Sequence, residues 1–135
     1  MEKKRKIEFI INPVSGGLRV VPIKTAIEYL IDSKLYEYNI TATKYKGHAT
    51  ELACQFAKDG KTDIVVAVGG DGTVNEVGCG LIGTEMPMGI IPCGSGNGLA
   101  RHLGIPIDPV HSIKWLNKHK IEDIDYGTIN EHPFF

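Results

Sequence analysis

Asp71 lies between Gly70 and Gly72 in the stretch Gly69-Gly-Asp-Gly-Thr73, and two other glycine-rich stretches accompany it, Asn12-Pro-Val-Ser-Gly-Gly17 and Pro92-Cys-Gly-Ser-Gly-Asn97. Residues without a Cβ let a chain turn left-handed and approach a ligand closely. Successive backbone N–H groups can then converge on phosphate oxygens, aided by the positive end of a following helix. A carboxylate in such a loop suits metal-linked phosphate positioning, or proton removal from an attacking hydroxyl. A purely structural use is open too. Asp71 could be a helix N-cap, accepting N–H bonds from Thr73 or Val74, and glycine pairs also make ordinary tight turns. Glu76 follows on the first turns of the same helix, as a site residue or a solvated one. Lys44, Lys46 and Arg101 could bring positive charge to a triphosphate. No GxxxxGK[ST] loop occurs, and Gly94-Ser-Gly-Asn-Gly98 fails the dinucleotide fingerprint because residue 99 is leucine.

The elements that must position these residues alternate. Lys6–Ile11 is mainly apolar, β-branched or aromatic, a first strand. Residues 21–33 carry apolar side chains at 23, 26, 27, 30 and 31, a helical stripe. Tyr38–Thr43 reads as a second strand, and residues 49–58 as a second helix closed by Asp59-Gly60. Asp63–Val68 is a continuous apolar run, as in a strand buried on both faces. Gly72–Leu81 places Val74, Val77 and Leu81 on one side of a third helix, and residues 87–91 form a fourth strand. Short helices are expected over 97–103 and 109–119, and an extended segment over 121–129. This alternation predicts an α/β, three-layer sandwich with a mainly parallel sheet and helices on both faces. Each glycine-rich stretch follows a strand, as does the polar segment Thr43-Lys-Tyr-Lys-Gly-His48. All four loops then emerge at the carboxyl edge, where ligands of open α/β sheets bind.

The formal net charge of −1 gives no basic excess for nucleic acid, so no nucleic-acid partner is expected. No apolar run approaches the roughly 20 residues of a membrane span. The charged start before residues 7–11 is not a signal peptide, which leads to an expectation of a cytoplasmic protein with reduced thiols at Cys54, Cys79 and Cys93. No His or Cys spacing suggests a metal site, and none is assigned.

Ile11-Asn-Pro-Val-Ser-Gly-Gly17, Gly69-Gly-Asp-Gly-Thr-Val-Asn-Glu76 and Ile91-Pro-Cys-Gly-Ser-Gly-Asn-Gly-Leu-Ala-Arg101 resemble, in order and spacing, the catalytic-domain motifs of the diacylglycerol, sphingosine and ceramide kinase family. NAD kinases and phosphofructokinases share motifs like the middle stretch; the other two stretches sharpen the resemblance. It implies an ATP-dependent lipid kinase that uses Mg2+, with an α/β nucleotide domain and a β-rich lipid-binding domain. Residues 1–122 would form the first, and 123–135 the start of the second, where this chain stops. By the same resemblance Asn12 and Thr43 lie near the nucleotide. Gly70, Asp71 and Gly72, flanked by Gly69 and Thr73, form the phosphate-side loop. Gly94, Ser95 and Gly96, with Asn97, make a further nucleotide contact. Glu76 matches a nucleotide-contacting position of the sphingosine kinase branch. Asp71 matches the catalytic base of that branch; in the bacterial diacylglycerol kinase branch the corresponding aspartate acts through magnesium. The implied partners are ATP, a diacylglycerol- or sphingoid-type lipid bound by the second domain, and transient contact with a membrane surface. An NAD kinase-like enzyme and a non-catalytic nucleotide-binding module are the alternatives.

Overall fold

The computed structural model describes residues 4–13, 20–92, 113, 127–129 and 132–134. Its elements run β1 (Arg5–Ile11), α1 (Val20–Leu30), β2 (Tyr36–Ala42), α2 (His48–Lys58), β3 (Ile64–Gly69), α3 (Asp71–Leu81) and β4 (Met88–Pro92), followed by β5 (Gly127–Ile129) and β6 (His132–Phe134). The first four strands form one sheet in the order β2-β1-β3-β4, every neighbouring pair parallel. β5 and β6 pair antiparallel in a separate two-stranded sheet. The parallel α/β class expected from the sequence is the class observed. The helices expected over 97–103 and 109–119 lie outside the described residues, apart from Ile113.

Alternation along the strands divides the core in two. Ile7, Phe9, Ile11, Ile64, Val66, Val68 and Ile91 face one side, where Ile23, Ile27 and Ile31 and also Ile113 cover them. Ile10, Val65, Ala67, Met88 and Ile90 face the other side, beneath Ala49 and Ala53 of α2 and Val74, Val77 and Leu81 of α3. α1 therefore covers one face, and α2 and α3 the other. All of β3 is buried, which is why its sequence is apolar without alternation. Burying an isoleucine or valine side chain contributes about 1.5–3 kcal/mol, so the central strands carry much of the driving force.

One acidic group enters this core. Glu8 is 3% exposed, and a buried carboxylate needs partners. The Asn39 amide donates to it at 3.0 Å and the Lys6 ammonium stands 3.6 Å away.

α2 and α3 approach closely at Gly80. A Cβ built there would lie 2.4 Å from the Thr50 carbonyl oxygen and 2.8 Å from the Ala53 Cβ. Above this contact the Thr50 hydroxyl donates to the Glu76 carbonyl at 2.7 Å. α1 ends at Leu30 rather than at residue 33, because Asp32 starts a turn. Its carbonyl accepts from the Leu35 and Tyr36 N–H groups at 3.0 Å, and its carboxylate from the Lys34 N–H at 2.9 Å. That turn delivers Tyr36 opposite Arg5, so β2 begins two residues before the expected Tyr38.

Candidate functional site

The sheet order reverses direction between β1 and β3. The chain leaves β1 toward α1 on one face and leaves β3 toward α3 on the other. Such a switch point opens a crevice at the carboxyl ends of the strands. A cavity of about 430 Å³ lies there, lined by Asn12, Pro13, Thr43, Lys44, Tyr45, Lys46, Ala49, Thr73 and Glu76.

Backbone pairing beyond the strand ends places the first wall. The Asn12 N–H donates to the Val68 carbonyl at 3.3 Å, and the Thr43 N–H to the Ile11 carbonyl at 2.8 Å. Asn12 and Thr43 are thereby fixed side by side, one register step past Ile11.

The second wall is the loop between β2 and α2. Gly47 caps α2 with φ 91° and ψ −12°, a left-handed conformation that glycine adopts without steric cost. Its N–H donates to the Glu76 carboxylate at 2.9 Å. The Lys44 N–H donates to His48 Nδ1 at 3.0 Å, and the His48 N–H to the Tyr45 carbonyl at 3.1 Å. The Tyr45 ring stacks on the His48 imidazole with centroids 4.5 Å apart and 14° between planes. The Tyr45 hydroxyl donates to the Glu51 carboxylate, and this bond leads the causes that push the phenol above its ordinary pKa. Lys44 and Lys46 line the cavity from exposed positions, supplying positive charge there.

The third wall is the start of α3. Gly70, not Asp71, is its N-cap, in an extended conformation with φ −90° and ψ −166°, and no side chain caps the helix there. Asp71 is the first helical residue and is exposed, so the N-cap reading of Asp71 gives way to a carboxylate in the first turn. The helix starts one residue earlier than the expected Gly72, because Gly70, in extended backbone, already occupies the cap position. Gly70 thus makes no use of the left-handed freedom its type suggested. At Gly72, an added Cβ would meet nothing within 4 Å, so the helix start is open on that side. Thr73 is buried at 2% exposure. Glu76 is half-buried, bonded to the Gly47 N–H, and is not a solvated helix residue.

Of the residues singled out from the sequence, Asn12, Thr43, Lys44, Lys46, Thr73 and Glu76 share one cavity. Gly69, Gly70, Asp71 and Gly72 form the strand-to-helix turn beside it. Gly94, Ser95, Gly96, Asn97 and Arg101 lie outside the described residues. Sequence reasoning missed Pro13, Tyr45 and Ala49 as lining residues. The glycine at 47, followed by a helical stripe, was the available signal that the loop turns sharply there.

A profile described as "Diacylglycerol kinase catalytic domain" matches residues 6–129. The chain belongs to this family. The diacylglycerol kinase of Bacillus subtilis is 36% identical over 133 residues, covering 96% of this chain and 44% of that protein. Sphingosine kinase B of Dictyostelium discoideum is 34% identical over 115 residues, covering 80% of this chain and 15% of that protein. A crystal structure of a diacylglycerol kinase from Bacillus anthracis superposes with a TM-score of 0.73 at 31% identity, covering 87% of this chain and 43% of that one. The chain therefore spans less than half the length of these members of the diacylglycerol kinase catalytic domain family. Among the described residues no helix is long and apolar enough to cross a membrane.

Proposed function

We propose that this chain is the nucleotide-binding part of an enzyme that transfers the terminal phosphate of ATP to a lipid hydroxyl of diacylglycerol or sphingoid type. The observation that carries this reading is the cavity at the sheet's switch point, where residues from three separate sequence stretches converge: Asn12, Thr43, and Thr73 with Glu76. Phosphoryl transfer asks a protein mainly for positioning and charge stabilisation. Asn12 and Thr43 would hold the nucleotide along the edge of the sheet. The open start of α3 at Gly70 and Gly72 would receive the phosphates on its N–H groups. Lys44 and Lys46 would offset their negative charge.

A magnesium site in a kinase typically takes one or two carboxylates, with phosphates and water completing the octahedron. The described residues hold no cluster of three or more acidic, His or Cys ligands. The exposed Asp71 at the phosphate side fits such a sparse donor set, and would be the residue to hold the ion. When bound, the ion would neutralise charge on the phosphates. Asp71 would alternatively accept the proton of an acceptor hydroxyl, the role that the resemblance to the sphingosine kinase branch implies. The lipid would be bound by a β-rich domain beginning near residue 123, with the protein at a membrane surface only transiently and otherwise in the cytoplasm.

The test is phosphate transfer by the chain together with that lipid-binding domain, screened against diacylglycerol, sphingosine and related acceptors. Transfer from ATP to one of these is expected. Phosphorylation of NAD, or nucleotide binding without any transfer, would overturn the reading.

A further inference from the structure

The wall of the cavity formed by residues 43–47 lies on one element pair, and the phosphate-side turn at 69–72 on another. The Glu76 side chain links the loop to the helix that follows the turn. Glu76 projects from α3, the helix that Asp71 opens, and its carboxylate accepts the Gly47 N–H at 2.9 Å. Gly47 is the left-handed residue on which the loop turns into α2, and that N–H precedes the helix, so it has no partner within α2. The adjacent Thr50 hydroxyl donates to the Glu76 backbone carbonyl at 2.7 Å, which fixes the glutamate's own position against α2. On the loop's far side the Lys44 N–H donates to His48 Nδ1 at 3.0 Å. The stretch between these two anchors, Lys44 to Gly47, is held at both ends, and its exposed side chains Lys44, Tyr45 and Lys46 line the cavity.

We propose that Glu76 is a positioning residue. Its carboxylate presets the 43–47 wall through the Gly47 N–H and so lowers the ordering cost of nucleotide binding, which a mobile loop would incur at the moment of binding. This rests on the nucleotide reading above but assigns Glu76 a different task from contact with the nucleotide. An acceptor oxygen is what the task requires, and glutamine supplies one. Alanine does not.

The experiment compares the 135-residue chain with Glu76→Ala and Glu76→Gln. Amide hydrogen exchange at Gly47 is read by NMR without nucleotide, and affinity for ATP by calorimetry. Loss of one charge-assisted hydrogen bond that orders a loop is expected to speed Gly47 exchange and weaken ATP binding about tenfold in the alanine variant. The glutamine variant should recover most of both. Equal weakening in the two variants would show that the negative charge or a nucleotide contact matters instead, and would overturn the proposal. So would unchanged Gly47 exchange in a folded alanine variant. Should the parent chain bind no nucleotide, the reading of its function fails, and Gly47 exchange alone then decides whether Glu76 sets the loop.

Discussion

A methyl group added at Gly72 touches nothing of the protein within 4 Å, which makes this residue a clean probe of what approaches the start of α3. Alanine is favoured over glycine within helices by up to about 1 kcal/mol, so Gly72→Ala should hold or raise stability in urea melts. If phosphates come in against this turn, the same methyl should weaken ATP binding about tenfold by calorimetry, the cost of a displaced charge-assisted contact. A variant that gains stability and keeps its affinity would place the phosphates elsewhere. Gly70 offers a companion test. Its φ of −90° is open to any residue, so a raised nucleotide KM in Gly70→Ala would come from crowding and not from backbone strain. Asp71 separates chemistry from folding. As an exposed first-turn carboxylate, it interacts with the helix dipole by about 0.3–1 kcal/mol, and the isosteric Asp71→Asn should leave the fold intact in urea melts. Turnover by the active enzyme should fall by about a hundredfold or more, as expected for loss of a general base or metal-linked carboxylate. Near-normal turnover would remove Asp71 from the mechanism.

Between elements, the contact of α2 with α3 is set by the missing side chain of Gly80. Gly80→Ala would push a Cβ against the Thr50 carbonyl at 2.4 Å, a backbone atom that cannot swing away. Overpacking of this kind costs about 1–3 kcal/mol, more than the helix-propensity gain, so the variant should melt earlier in urea. Because Thr50 also bonds the Glu76 carbonyl, the shift should disturb the cavity wall as well, and Gly47 exchange would report it. The turn after α2 makes a pH prediction. Burial pushes the Asp59 carboxyl up, but bonds from the Lys61 N–H, the Thr62 N–H and the Thr62 hydroxyl, with the Lys6 charge, outweigh it and leave the carboxyl below its ordinary value. Its folded value being the lower one, its stabilising contribution is complete above the ordinary carboxylate range of about 4. The contribution is lost as pH falls through that range and below. Asp59→Asn should therefore be less stable than the parent near neutral pH, with the gap closing in acid. A gap that stays constant with pH would show that the charge is not what the turn uses.

For the molecule as a whole, the expected behaviour is binding without transfer. The 135-residue chain should bind ATP with magnesium weakly, giving heat in calorimetry at millimolar nucleotide, and should not phosphorylate diacylglycerol in mixed micelles. Transfer needs the acceptor hydroxyl held in line with the terminal phosphate. Among the described residues the large exposed apolar side chains are Tyr29, Leu35, Tyr45 and Ile82, spread over four separate segments, which is no seat for an acyl chain. Radiolabelled phosphate appearing in lipid with this chain alone would show that the acceptor site is here after all.

Periodicity determined the element types, because an apolar stripe at helical spacing and an unbroken apolar strand each have one way to bury themselves. Ile23 and Ile27 on α1, Ile31 just past its end, and the whole of β3 are buried as their spacing requires. The places of Asn12, Thr43 and Gly69–Thr73 directly after strands also marked the carboxyl edge. What the sequence did not decide is anything that depends on partners distant along the chain. Glu8, a charge within an apolar strand, is tolerated in the core because β2 brings Asn39 to it across the sheet. Glu76 reads as a solvated helix residue or a ligand contact, and is an anchor because Gly47, 29 residues earlier, turns its N–H toward α3. Local pattern follows from which atoms neighbours along the chain must hide. A side chain's task follows from which polar group tertiary folding sets opposite it, and only the assembled sheet and helices supply that group.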